Sequence, residues 1–87
     1  MFRAEVDVML RSAILDVEGK TVAHALGSLG YDSVDSVRIG KHITFDLDCA
    51  TREEAEAVAQ EIAQKVLSNP VMEDFVVRVH EAAEAGA

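Results

Sequence analysis

Three histidines are the side chains of this sequence best suited to bind a metal or to move a proton. They are His24, His42 and His80, and none belongs to a metal-ligand pattern such as H-E-x-x-H or C-x-x-C. They fall on a predicted helix, near the middle of the chain and on the last predicted strand. Their spacing therefore predicts no metal site.

One thiol and one pair of carboxylates complete the candidates for catalysis. A thiol near the start of a helix, where Cys49 is expected, can ionise easily, but no acid–base partner or nucleophile motif surrounds it. Acid–base catalysis by Glu73 and Asp74 would need an enclosing pocket that shifts a pKa. Because 87 residues leave little room for such a pocket, we expect a small buried Cys49 and two surface carboxylates.

Two cations and a glycine lie together in the middle of the chain, at Arg38, Gly40 and Lys41. The phosphate-loop patterns G-x-x-x-x-G-K-[ST] and G-x-G-x-x-G are both absent. Two interpretations are equally supported at this point. The segment is either a solvated bend or a contact point for a partner chain or a nucleotide phosphate, where glycine lets another backbone approach.

Length and composition limit the class of protein. The 87 residues predict one domain over 1–80 and a frayed tail over 81–87, with a thin core that oligomerisation would support. Sixteen acidic against eight basic residues argue against nucleic-acid binding. A single cysteine excludes an intrachain disulfide and suits a reducing compartment. With no signal-peptide pattern and no apolar run near the ~20 residues of a membrane helix, we expect a cytoplasmic protein without membrane contact.

Most of the predicted elements follow from simple periodicities. Alternating apolar residues indicate strands, and an i, i+3, i+4 repeat indicates helices. These patterns place strands over 2–10 and 71–80 and helices over 18–29 and 51–68. Asp16 and Thr51 are the expected N-caps, the second with Glu54 in a capping box.

The segment 34–48 alternates through its middle without a break. The apolar residues from 37 to 47 all occupy odd positions. A two-residue hairpin loop at Gly40 and Lys41 would turn Ile43 away from the core. Either a three-residue loop or one long strand bent at Gly40 preserves the pattern. We favour the long bent strand, because a small chain gains by lending half of it to a partner.

The order β-α-β(β)-α-β, with one apolar face on each element, predicts an α+β two-layer sandwich. An antiparallel sheet with both helices on one face buries all of these surfaces, as in ferredoxin-like folds. The first strand and the bent middle strand carry few devices that block edge pairing. We therefore expect pairing through these edges into a homodimer or a dimer of dimers.

Three blocks of the sequence form an ordered set of motifs. Residues 15–26 are similar to L-D-P-x-G…V-x-H-A-L, residues 37–41 to V-R-x-G-K, and residues 67–75 to L-x-N-P-V-I-E-D-[YF]. One departure is Val17, where the pattern often has proline. The motif positions include Asp16, Gly19, His24, Asn69, Pro70, Glu73 and Asp74. Taken together, the blocks resemble the PurS family, the small subunits of phosphoribosylformylglycinamidine synthase.

This resemblance implies a subunit without catalytic residues of its own. It would bridge a glutaminase subunit and a synthetase subunit and assist ammonia transfer between them. The complex would use ATP, Mg and glutamine, and this subunit alone would bind no cofactor. The alternative is a small-molecule-binding regulatory or oligomerisation module of the ACT type, which would show a glycine in the loop after its first strand. Residues 11–17 contain none.

Overall fold

Three antiparallel strands form the sheet of the computed structural model, which describes residues 1–82. The strands are β1 (Phe2–Leu10), β2 (Gly40–Leu47) and β3 (Glu73–Glu81), in the order β2-β1-β3. Glu81 belongs to β3, so the last strand extends one residue beyond its predicted end at residue 80. The rest of the predicted tail, over 83–87, lies outside the described residues.

The period-two pattern of β1 is confirmed. Its alternate side chains from Phe2 to Val8 are buried and form the centre of two adjoining core clusters. The register places Phe45 and Val79 on either side of Ala4, which keeps the apolar residues of all three strands on one face. A slip of one residue would turn every one of them to solvent, so this register is strongly specified.

The helix α2 (Arg52–Ile62) covers this apolar face, packing on β1 and β3. Ala55, Ala59 and Ala63 are fully buried at i, i+4 spacing. Their small side chains bring the helix backbone close to the sheet. A π-helical turn over Ala63–Leu67 follows and ends at Ser68, whose amide donates to the Ala63 carbonyl at 3.0 Å. The predicted helix over 51–68 is therefore confirmed, with a widened last turn.

The first helix, α1 (Val17–Ser28), begins and ends by local rules. Asp16 caps its N-terminus as predicted. At the other end Gly30 has a φ of 97°, a conformation that glycine adopts without steric cost. The amide of Tyr31 donates to the Leu26 carbonyl and that of Gly30 to the Gly27 carbonyl, both at 3.0 Å. This pair of bonds is a Schellman motif.

The α+β class, with a three-stranded antiparallel sheet and two helices, is confirmed, but α1 does not cover the sheet. Gly19 is its only buried residue, and Val22 and Leu29 are exposed by 39% and 73%. Its N-terminus is tied to the segment before β2 instead of to the strands. Helical periodicity indicates that one face of α1 is apolar without indicating what packs on it.

The middle strand also differs from both forms considered for it. β2 begins at Gly40, and residues 34–39 pass beside α1 without joining the sheet. The amide of Ile39 donates to a carboxylate oxygen of Asp16 at 2.7 Å, so it is not available to a strand partner. Moreover, β1 is the central strand and has no free edge; the exposed edges belong to β2 and β3.

Candidate functional site

The central motif lies where β2 begins, beside the N-terminus of α1 and the end of β1. An open cleft of about 380 Å³ occupies this corner of the molecule. Apolar side chains and several charged ones line it, among them Leu15, Val17, Glu18, Ile39, Lys41 and Glu73. The structure therefore brings the first and second motif blocks together and adds one residue of the third.

Asp16 is the buried acid that joins these blocks. Its carboxylate accepts hydrogen bonds from the amide of Ile39 at 2.7 Å and from the amide of Gly19 at 2.8 Å. These bonds, first the one from Ile39 and then the one from Gly19, lower the pKa of the Asp16 carboxyl. One side chain thus caps α1 and fixes the backbone just before β2.

Two motif glycines are required by close approach of the chain to itself. A Cβ atom on Gly19 would collide with the carbonyl group of Val37, and one on Gly40 would collide with Met9 and with the Val8 carbonyl. The backbone that approaches Gly40 is therefore that of β1 in the same chain. Sequence reasoning expected a close approach here but assigned it to a bend or a partner.

Arg38 and Lys41 differ in what they contact. The Arg38 guanidinium donates to the carbonyls of Arg11 at 3.0 Å and Leu10 at 3.4 Å, so it holds the end of β1. Lys41 is exposed and stands opposite Val8, on the side of the sheet that is otherwise apolar. Within residues 1–82, the ion pairs of the structure do not involve Lys41. Of the two predicted cations, Arg38 is thus engaged with its own chain through one nitrogen, whereas Lys41 makes no ion pair in this part of the chain.

The third motif block builds the turn that leads into β3. The Asn69 side chain accepts from the amide of Val71 at 3.0 Å, and the Glu73 carboxylate accepts from the amide of Asn69 at 2.7 Å. The amide of Glu73 in turn donates to the Asn69 carbonyl at 2.8 Å. Asn69 and Glu73 therefore hold this turn closed from both ends.

Arg11, just beyond β1, fastens that turn to the sheet. Its amide donates to the Met72 carbonyl at 2.9 Å, and its guanidinium donates to the Pro70 carbonyl at 2.5 Å. The guanidinium also lies 3.4 Å from the Asp74 carboxylate. Asp74 and Glu73 thus serve as structural charges at the start of β3, as the sequence predicted.

The remaining candidate, Cys49, is a packing residue. It is partly buried against the core cluster that contains Phe2 and Ala55. Burial, and then a hydrogen bond with Glu54, raise the pKa of the thiol, which opposes thiolate formation. The prediction of a small filler is confirmed.

His24 projects from the exposed side of α1, away from the other histidines. Together with Leu15, Val17, Lys20 and Thr21 it borders a shallow apolar patch. Over residues 1–82 the structure holds no group of three or more His, Cys, Asp or Glu side chains arranged to bind a metal ion. None of the helices in that part of the chain is long and apolar enough to cross a membrane.

Sequence reasoning missed the charged cluster on the face of the sheet turned away from α2, called here the outer face. Two carboxylates of β1 meet His42 of β2 and Arg78 and His80 of β3, with Arg78 lying 2.7 Å from Asp7. The alternation of β1 placed Glu5 and Asp7 on one side, but their partners follow from the strand order. No local pattern specifies that order.

Comparison with known proteins identifies the family. The family model described as PurS, phosphoribosylformylglycinamidine (FGAM) synthase, matches residues 3–81. The PurS subunit of Mycobacterium leprae is 40% identical over 88% of this chain and 94% of its own length.

Solved structures agree with this result. The Bacillus subtilis PurS structure has a TM-score of 0.84 at 36% identity and covers 93% of this chain and 100% of that one. A chain in the structure of PurLQS from Thermotoga maritima has a TM-score of 0.84 at 29% identity, covering 91% of this chain and 96% of that one. The chain therefore belongs to the PurS family and is a subunit of phosphoribosylformylglycinamidine synthase, an enzyme complex of purine biosynthesis.

Proposed function

We propose that this chain acts as the bridging subunit of the synthase, joining the glutaminase and synthetase subunits and assisting the passage of ammonia between them. In this role the larger subunits bind ATP, Mg and glutamine and carry out the chemistry in the cytoplasm. The observation that supports the proposal is that the side chains of the motif blocks stabilise the fold of their own chain. Asp16, Arg38, Asn69, Glu73 and Asp74 all contact their own chain.

Uncovered apolar surface supports a role in assembly. α2 is the helix that packs on the sheet, whereas the apolar side of α1 faces solvent. The exposed apolar side chains include Leu15, Val17, Leu29, Tyr31, Val66, Val71 and Val76, each exposed by 58% or more. Leu15 and Val17 share one mainly apolar patch with Lys20, Thr21 and His24, and contiguous apolar patches mark sites where other chains bind.

Part of this surface fits a second copy of the chain, in a homodimer or a dimer of dimers. β2 and β3 each present a free edge, and α1 does not pack on the sheet of its own chain. In a symmetric pair, each chain would offer an edge and a helix to the other. Such an assembly would enlarge the thin core and give the larger subunits a rigid platform.

A dry platform would help ammonia transfer. Ammonia that escapes into water is protonated and diluted, so enclosing the path between the two active sites raises the fraction delivered. The subunit would contribute by holding the larger subunits in one relative position. Lys41, the motif cation without an ion pair in residues 1–82, is the side chain we assign to contact with a larger subunit or with its bound nucleotide phosphate. Arg38 and Gly40 would set its position.

Reconstitution with the glutaminase and synthetase subunits tests this assignment. For Lys41→Ala we expect glutamine-dependent turnover at limiting subunit to fall about tenfold, because one interfacial charge is lost. Turnover with ammonia supplied directly should stay unchanged. Lys65→Ala is the matched control, since Lys65 pairs with Glu61 on the exposed side of α2. Unchanged glutamine-dependent turnover in Lys41→Ala would contradict the site, and equal losses of both activities would contradict the bridging role.

A further inference from the structure

The outer face of the sheet carries a cluster of charges that spans all three strands. Its members are Arg3, Glu5, Asp7, His42, Asp46, Arg78 and His80. No helix of the described residues covers this face, so these groups face one another and solvent. Glu5 and Asp7 stand on the central strand, and the two histidines stand on the two edge strands.

His42 has a carboxylate on each side of its ring. Its Nδ1 lies 2.5 Å from Oδ1 of Asp7, and its Nε2 lies 3.6 Å from Oε1 of Glu5. A neutral imidazole carries one N–H and leaves a lone pair on the other nitrogen. That lone pair would face a carboxylate oxygen, whereas the protonated ring presents a hydrogen to both.

His80 repeats this arrangement from the opposite strand. Its Nε2 lies 2.9 Å from Oε2 of Glu5, and its Nδ1 lies 3.3 Å from the carbonyl oxygen of Glu81. Both ring nitrogens again face oxygen acceptors, so the protonated ring satisfies both contacts. Glu5 is shared, since one of its oxygens faces His42 and the other faces His80.

The fixed charges leave the cluster one proton short of neutrality. Arg3 is the register partner of His80, but its guanidinium is paired with Asp46 at 2.9 Å, so these two charges offset each other. Arg78 lies 2.7 Å from Asp7 and 4.0 Å from Glu5 and supplies one positive charge against their two negative charges.

The carboxylate of Asp7 stays charged in this setting. Hydrogen bonds from His42 and then from Arg78 lower the pKa of the Asp7 carboxyl. Asp7 therefore contributes a full negative charge to this balance.

We propose that the outer face is a proton-binding site, in which one proton carried by His42 or His80 ties the edge strands to the central strand. Imidazole is the side chain that ordinarily exchanges its proton near neutral pH. The direction of the pH effect on stability follows from the linkage between proton binding and folding. A proton held by the folded chain and not by the unfolded chain stabilises the fold as pH falls and is lost as pH rises. β2 and β3 carry the free edges, so the proton strengthens the strands that other chains would pair with.

Imidazole NMR on the full chain tests the proposal directly. At about pH 6, long-range nitrogen–proton spectra should show His42 or His80 with both ring nitrogens protonated. Glu5→Gln should move the titration midpoints of both rings to lower pH and leave His24 unmoved. If both rings are neutral tautomers at that pH, or if Glu5→Gln moves neither midpoint, the proposal fails.

Urea unfolding at one fixed chain concentration gives a second measure. The unfolding equilibrium constant should rise about twofold to fivefold between about pH 6 and pH 8, the size expected for exposed ion pairs. His42→Gln and His80→Gln should each reduce that rise, and 1 M salt should weaken it. His24→Gln is the matched control, because its ring borders the patch on α1 and the ion pairs of the cluster do not include it. A flat profile, or an equal effect of His24→Gln, would overturn the proposal. None of these results would bear on the proposed bridging role, which the reconstitution experiment tests.

Discussion

The two helices of this chain have similar local sequence signals but differ in what they pack against. Each begins at a side-chain N-cap, Asp16 for α1 and Thr51 for α2, and each carries an apolar stripe. α2 and the π-helical turn that follows it bury three alanines against the sheet, whereas α1 buries only Gly19. The difference lies in what each helix meets. α2 and the sheet form a closed half of the molecule, whereas α1 leaves apolar side chains exposed in an open half.

The largest expected effect comes from crowding the closed half. Ala59→Leu would force a larger side chain between α2 and the sheet and should reduce the free energy of unfolding by about 2 to 3 kcal/mol. The matched change on α1, Ala25→Leu, is exposed and should alter it by less than about 0.5 kcal/mol. Urea titration measures both. Equal losses of unfolding free energy in the two variants would mean that α1 is as tightly packed as α2, which would contradict the difference between the helices.

Removing the residue that connects the two halves should have the next largest effect. Asp16→Ala leaves the amides of Gly19 and Ile39 without their acceptor and should lower the Tm by about 5 to 10 °C. Asp16→Asn, which keeps one acceptor oxygen, should lose less. Asp32→Asn, in the exposed turn after α1, serves as the control. A Tm unchanged by Asp16→Ala would show that the connection does not stabilise the fold.

The same carboxylate predicts how the fold responds to acid. The pKa of Asp16 is lower in the folded chain than its ordinary value. The carboxylate therefore contributes its full stabilisation above the unfolded pKa of about 4, and this stabilisation is lost as the pH falls below that value. Unfolding of the wild type should therefore become easier below about pH 4, and Asp16→Asn should lose stability less steeply there. Circular dichroism during acid titration measures this. Parallel acid profiles for the two proteins would contradict the assignment.

A smaller effect should follow from Arg38→Ala. The side chain closes the end of β1 through two carbonyl groups and is exposed, so its loss should cost about 1 kcal/mol of unfolding free energy. Lys41→Ala, its neighbour without such contacts, should cost much less. Chemical denaturation distinguishes the two. Greater destabilisation by Lys41→Ala would reverse the roles given to these cations.

The smallest effect on folding should come from the open half. Leu29→Ser replaces a side chain that is 73% exposed at the end of α1, so the helical signal should be unchanged. Self-association should weaken about tenfold if α1 joins a second copy. Analytical ultracentrifugation measures this, with Gln60→Ser, exposed on α2, as the control. Unchanged association would remove α1 from the proposed homodimer.

Local rules predicted much of this structure from sequence. The caps at Asp16 and Thr51, the stop at Gly30 and the inward residues of β1 each depend on neighbours close in the chain. Local chemistry also predicted that Cys49 is a filler. These features could be derived because the interactions that fix them span only a few residues.

What sequence reasoning could not supply depends on distant partners. The amide of Ile39 bonds to Asp16 across 23 positions, which ends the alternation before β2 begins. The central place of β1, which gives His42 and His80 a shared carboxylate, depends on strand order. Of the candidate site, the sequence identified the corner of the molecule but did not separate Arg38, which holds the fold, from Lys41, which does not.

The π-helical turn has a consequence for how the length of the chain can vary. A turn closed between Ala63 and Ser68 holds one more residue than an α-helical turn, while Ala63 and Leu67 still reach the core. A chain shortened by one residue between Gln64 and Val66 would close the turn as ordinary α-helix. We therefore expect this stretch to absorb a single-residue deletion while the sheet stays in register.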